Sequence, residues 1–242
     1  MPKLHIYKNE KETCHAFAEW FAELVNSCLE RQENFTVAFP GRDVPKLINK
    51  ILATEFADKI AWNKINIFLE DERLISFSEG DNNHGINTSF ENLPVPRENI
   101  HTIRSDLSPL DSAVQYDTLL HNSFNNSEVT FDLAILGLSE DGSTFSFFAG
   151  YEEGNGRPSW VVPVYDAKED VYRITLTSNI INASSVKAFV ITGKRKQDAV
   201  HEVLKGKYNP EKYPAQLIQT ANKTVHWFLD EAAADKLIKP TP

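Results

Sequence analysis

The sequence predicts an α/β fold, a mostly parallel sheet with helices on both faces. Two observations predict it. Short apolar runs recur without the polar alternation of a half-solvated strand: Phe35 to Phe39, Ile65 to Leu69, Phe131 to Leu136 and Val186 to Ile191. Between them lie stretches whose apolar residues follow helical spacing. Strands buried on both faces and alternating with amphipathic helices form parallel sheets, here of Rossmann-like type.

The elements follow in order. From Lys11 to Arg31, the residues Phe17, Trp20, Phe21, Leu24 and Cys28 share one helical face. The run Phe35 to Phe39 reads as a buried strand, punctuated by Gly41 and Pro45. Leu47, Ile48, Ile51 and Leu52 then trace a second helix, and Ile65 to Leu69 a second strand. A charged stretch, Glu70 to Asn83, reads as a polar loop. Phe131 to Leu136 ends at Gly137, and Val186 to Ile191 ends at Thr192-Gly193. Lys196 to Leu204 is helical again, with Ala199, Val200, Val203 and Leu204 on its apolar face. The tail Val225 to Leu237 carries Trp227, Phe228, Leu229, Ala232, Ala233 and Leu237 and is expected to be a packed terminal helix. No linker or repeat divides the chain, so residues 1–242 are expected to form one domain.

Parallel sheets take ligands beyond the carboxyl ends of their strands. Three such ends carry glycine (Gly41, Gly137 and Gly193), and Asp71-Glu72-Arg73 follows another. These ends should converge on one cleft.

Composition narrows the function. The chain has 25 basic and 34 acidic residues, a formal net charge of -9. That balance argues against a global electrostatic grip on nucleic acid. With 41% apolar residues the chain can bury a sizeable core. No run approaches the roughly 20 apolar residues of a membrane span. Met1 to Glu10 lacks the apolar core of a signal peptide, so a cytoplasmic protein is expected. Cys14 and Cys28, in one helical pattern, would sit roughly 21 Å apart and form no disulfide framework. Glycine is scarce, 10 of 242 residues, or about 4% against a usual value of about 7%. The placement of those few glycines is therefore informative.

Several segments resemble 6-phosphogluconolactonases. Ile67-Phe68-Leu69-Glu70-Asp71-Glu72-Arg73 is similar to that family's strand and "DER" loop, and Asp81-Asn82-Asn83-His84-Gly85 to its "D-S-N-Y-G". Leu93-Pro94-Val95-Pro96 with Asn99-Ile100-His101 resembles "P-I-P-x-x-N-I-H". Phe131 to Gly137, continuing into Glu140-Asp141-Gly142-Ser143-Thr144, resembles "F-D-L-x-L-L-G-x-G-x-D-G-H-T". Arg173 to Thr177 with Ile181-Asn182-Ala183 resembles "R-I-T-L-T…I-N-A", and Thr192 to Lys196 resembles "T-G-x-x-K". Tyr213-Pro214-Ala215 and Trp227 to Ala234 resemble the family's ending. One motif would be weak evidence; this many in order, over nearly the whole chain, are strong.

The resemblance implies hydrolysis of 6-phosphogluconolactone to 6-phosphogluconate in the pentose phosphate pathway. It implies a fold shared with glucosamine-6-phosphate deaminases and no cofactor or metal. The partner is a small phosphosugar lactone, and the protein is a monomer or a homodimer. A phosphate dianion needs backbone amides and Arg or Lys. A lactone carbonyl needs a base to activate water and a donor for the oxyanion. Arg73 matches the arginine after "DE" and is the first phosphate candidate; otherwise it pairs with Asp71 or Glu72. Lys196, at a helix N-terminus, either meets an anion or is solvated. Arg173 either approaches the phosphate or braces the next loop. Asn83 either orients substrate or holds its own loop. Gly41, Gly137 and Gly142 let backbone approach substrate, or serve turn geometry alone.

Two departures from the family pattern stand out. Its "S-G-G-S-T-P" is Pro40-Gly41-Arg42-Asp43-Val44-Pro45 here. Two hydroxyl donors are lost and a carboxylate enters where an anion should sit; Arg42 can compensate by pairing with phosphate or with Asp43. Its "D-G-H-T" carries the histidine thought to be the general base, and this chain has Ser143 there. The remaining catalytic candidates are Asp141, Ser143 itself, and His84, which replaces the family's tyrosine. Three readings stay open: a working but weakened lactonase, an impaired homologue that binds a phosphosugar or a protein partner, and a phosphosugar isomerase or deaminase.

Overall fold

A computed structural model describes residues 2–40, 44–74, 92–125, 127–147, 159–218 and 224–238. The chain runs β1 (Lys3–Tyr7), α1 (Glu10–Leu29), β2 (Phe35–Phe39), α2 (Leu47–Glu55), β3 (Ile65–Leu69) and β4 (Asp71–Leu74). It continues through β5 (Ile100–His101), α3 (Pro109–Phe124), β6 (Leu133–Leu136), β7 (Val161–Asp166), β8 (Val171–Leu176) and α4 (Ser178–Asn182). The last elements are β9 (Val186–Ile191), α5 (Gln197–Lys205), β10 (Thr224–Asp230) and α6 (Asp235–Ile238).

Seven strands form a parallel sheet in the order β1-β10-β9-β6-β2-β3-β5. Connections from β1 to β2 and β2 to β3 run toward one edge, and those from β6 to β9 and β9 to β10 toward the other. Right-handed crossovers then put α1 and α2 on one face, α3 and α5 on the other. The aromatic core agrees. Phe21 of α1 meets Phe35 of β2 edge-on (6.1 Å between centroids), while Phe124 of α3 meets Phe68 of β3 (5.5 Å). Phe35 pairs with Ile65 and Phe68 with Ala38, positions of opposite parity and hence opposite faces.

Local sequence explains the element ends. Asn9 caps α1, its side chain accepting from the Glu12 N–H at 3.0 Å. Ser108 caps α3 in the same way, with Pro109 in the first turn. Cys14 is buried and Cys28 partly buried in α1, both as free thiols.

Two expectations need correction, and one element went unpredicted. The tail is no terminal helix: Thr224–Asp230 is a strand between β1 and β9, and α6 covers only Asp235–Ile238. A run buried on both faces has no solvated side to give it a period, so Val225 to Leu229 reads equally as helix core. The β-branched and aromatic content of that run was the better guide. The polar loop after β3 begins instead as strand β4, in a second, antiparallel sheet ordered β4-β8-β7. Finally, Lys3–Tyr7 is an edge strand that sequence patterning left unassigned.

Candidate active site

The two neighbours β6 and β2 send their chains in opposite directions, β2 toward β3 and β6 toward β9. Their carboxyl ends are therefore the topological switch point, where an open α/β sheet leaves a crevice. The loop after β6 lines it from Gly137 to Phe147. The loop after β2 begins at Pro40; Gly41, Arg42 and Asp43 lie outside the described residues, as do Asn83 and His84.

The β6 loop is a tight turn with an exposed tip, Glu140-Asp141, between buried flanks. Gly142 N–H donates to the Ser139 carbonyl (3.1 Å), and Ser139 N–H to the Ser143 carbonyl (2.9 Å). Gly142 has φ +84, a left-handed conformation that favours glycine. A Cβ there would lie 2.6 Å from Cδ1 of Tyr213. The Gly142 carbonyl accepts from Ala215 N–H (3.2 Å), so the Tyr213-Pro214-Ala215 segment clamps this turn. Thr144 Oγ1 donates to the Gly137 carbonyl (2.8 Å) and closes the loop on its own start.

Ser143 is 2% exposed, and its N–H donates to Asp141 Oδ1 (3.0 Å). Its hydroxyl lies close enough to favour that carboxylate's charge but falls short of hydrogen-bond geometry. Burial opposes the charge on Asp141, yet Ser143 and Lys168 (3.2 Å) outweigh it and hold the carboxyl below its ordinary range.

The second sheet supplies the cations. In β4 and β8, alternation places Asp71, Arg73, Arg173 and Thr175 on one face; Asp71 opposes Thr175 and Arg73 opposes Arg173. That face meets the β6 loop. Ser146 Oγ donates to Asp71 Oδ2 at 2.6 Å, and Ser146 N–H reaches Thr175 Oγ1 at 3.4 Å. Arg173 is 4% exposed and enclosed by carboxylates: Asp166 (3.0 Å), Asp71 (3.5 Å) and Glu169. This geometry is that of a brace. Arg73 is about one-third exposed, pairs with the other oxygen of Glu169, and keeps a buried Nε without a partner among the described residues.

Lys196 ends a short 3-10 turn, Lys194–Lys196, at the start of α5. Its ammonium donates to the Leu138 carbonyl and ties the β9 loop to the β6 loop. Gly193, at φ +95, opens that turn, and both carboxylate oxygens of Asp230 accept from its N–H (3.0 Å each). The loops after β3, β6 and β9 thus converge as expected. His101 lies apart from this turn, stacked on Phe68 (4.3 Å) and 3.3 Å from Asn66.

Sequence patterning missed Ser146, Asp166, Lys168 and Glu169. The signal available for the last three was the run Asp166 to Asp170 between two β-branched stretches, which reads as a hairpin turn. Asp166 shapes that turn by accepting from the N–H groups of Lys168 (3.1 Å) and Glu169 (3.3 Å).

Comparison with known proteins decides the family. The model for glucosamine-6-phosphate isomerases/6-phosphogluconolactonase matches residues 8–227. The chain belongs to this family. It is 31% identical to a probable 6-phosphogluconolactonase 2 of Arabidopsis thaliana, covering 97% of this chain and 95% of that one. It is 30% identical to a 6-phosphogluconolactonase of Rattus norvegicus, covering 98% and 94%. The solved 6-phosphogluconolactonase of Trypanosoma brucei superposes with a TM-score of 0.81 at 20% identity, over 98% of this chain and 99% of that one. At that identity the likeness shows the fold.

Proposed function

We propose that this protein binds 6-phosphogluconolactone at the β2–β6 switch point and hydrolyses it to 6-phosphogluconate, with turnover held back at the proton-transfer step. The name shared by full-length relatives supports the substrate. The observation that carries the reduced rate is the pairing of Asp141 with Ser143. An efficient base has a pKa near the working pH. Asp141 is held below its ordinary range by Ser143 and Lys168, so its carboxylate is a poor proton acceptor. The Ser143 hydroxyl has no basicity to add at neutral pH. What remains is orientation of water and lactone in a fixed loop, which lowers a barrier without a base.

In this reading Arg73 holds the phosphate from β4 and Lys196 supports the β6 loop from α5. Gly142 brings backbone near the sugar; Gly41, Arg42, Asn83 and His84 lie outside the described residues and are candidates by the family resemblance alone. Arg173 positions Arg73's sheet rather than touching substrate. The protein works in the cytoplasm, as a monomer or homodimer, without cofactor. The experiment is a lactone-hydrolysis assay run beside calorimetry with 6-phosphogluconate. Slow hydrolysis with clear product binding supports the proposal. Binding with no hydrolysis above background moves the protein to a phosphosugar-binding role. Neither binding nor hydrolysis removes both.

A further inference from the structure

The turn between β7 and β8 carries a carboxylate that sequence motifs do not account for. Glu169 bridges the two cross-strand arginines, one oxygen on Arg73 Nη2 and the other on Arg173 Nη2. A bidentate anion laid across two guanidinium groups is the geometry a phosphate adopts. The two arginines need Glu169 unequally. Arg173 keeps Asp166 and Asp71 without it. Arg73 has only Glu169 among its ion pairs within the described residues, and its buried Nε still lacks an acceptor. Glu169 is itself two-fifths exposed on a turn whose shape comes from Asp166, so its side chain can leave for solvent without unmaking the turn.

We propose that Glu169 is a tethered anion that occupies Arg73 in the free protein and must be displaced by the phosphate of the substrate. This rests on the reading of Arg73 as the phosphate-binding residue. A tethered carboxylate competes at high effective concentration. A singly charged ligand offers Arg73 no more charge than Glu169 does. A phosphate dianion offers twice the charge and a third oxygen for the unpartnered Nε. Glu169 thereby reduces the affinity for every anion and favours doubly charged ones.

The test is calorimetric binding of 6-phosphogluconate to the whole protein and to E169Q, R73A and the double variant, with E169S as a second neutral replacement. Thermal melts report folding. Removing the competitor should tighten binding about tenfold, as the competent fraction rises toward one. That gain should vanish in the R73A background, because the two residues act on one contact. Unchanged or weaker binding in both E169Q and E169S, while R73A still loses affinity, overturns the tethered anion but leaves the phosphate reading intact. A gain that persists without Arg73 also overturns it. Wild-type binding that R73A does not weaken overturns the reading of Arg73 itself.

Discussion

Arg73 and Arg173 face each other directly across the β4–β8 pair, yet their surroundings differ sharply. Arg173 is 4% exposed among three carboxylates, whereas Arg73 is about one-third exposed and has one such partner among the described residues. Two like charges at opposed positions repel; Glu169 between them makes the pairing tenable. The two arginines should therefore fail in different ways when replaced.

Arg173→Met leaves Asp71 and Asp166 as buried charges without their cation. Losing one member of such a cluster costs on the order of 3–5 kcal/mol. Arg73→Ala removes a partly solvated pair and costs under about 1 kcal/mol. Urea unfolding should show a large loss of stability for the first variant and a small one for the second. Equal losses contradict the division into brace and ligand-binding residue.

Gly142→Ala should damage the β6 loop twice over. It places an alanine at φ +84, and it drives a Cβ against Tyr213. Strain of this kind costs about 1–3 kcal/mol. Adding Tyr213→Ala should recover the steric share but not the conformational share. Full recovery in the double variant would show that backbone strain at Gly142 is negligible.

The pH dependence of turnover follows from Asp141. Its carboxyl lies below the ordinary range, so it stays ionised through neutrality. No group assigned to proton transfer titrates in the histidine range. Corrected for the uncatalysed reaction and for the substrate phosphate's own ionisation at about pH 6, kcat/KM should be level from about pH 6 to about pH 8. An inflection in that window that disappears in His84→Asn would instead identify His84 as the base.

Stability should fall in mild acid for a separate reason. His226 Nδ1 lies 3.1 Å from His5 Nε2, with the Trp20 ring 4.8 Å away. Burial, then the neighbouring His5 and Lys3, lower the His226 pKa to about 4 from 6.5. Between those values the unfolded chain takes up a proton that the folded chain refuses, so stability declines as pH drops through the window. The loss over this gap is on the order of 1–3 kcal/mol. His226→Gln should flatten part of the slope between about pH 6.5 and about pH 4 in urea unfolding. An unchanged slope would contradict the lowered pKa.

Legibility in the sequence followed the physics of each element. β2, β3 and β9 have the bounds their apolar runs predict, because central parallel strands are mostly apolar, with Thr36, Asn66 and Lys187 the exceptions, and the runs end at Pro40-Gly41, Glu70 and Thr192-Gly193. β10 has the same character but was obscured by Ala232, Ala233 and Leu237, which carry an apparent helical period on through a turn into the short α6. β4 was hidden because its residues, Asp71, Glu72 and Arg73, are polar on both faces and are paired by side chains distant in sequence. The same holds for the site. Gly142 and Ser143, in the loop after β6, and Arg73, in the charged run after β3, are visible as motif positions because the apolar strands before them fix the register. Glu169 is not: its importance lies in bridging residues 96 and 4 positions away, a relationship no local pattern carries.

The central claim is that position 143 limits the chemistry. Its most direct measurement is kcat/KM for lactone hydrolysis by the wild-type protein and by Ser143→His, assayed in parallel. A general base is worth roughly 100-fold or more in rate, so the variant should be faster by at least about tenfold even if the imidazole is imperfectly placed. A wild-type rate that Ser143→His leaves unchanged or lowers, in a variant that folds and still binds 6-phosphogluconate, would contradict the account.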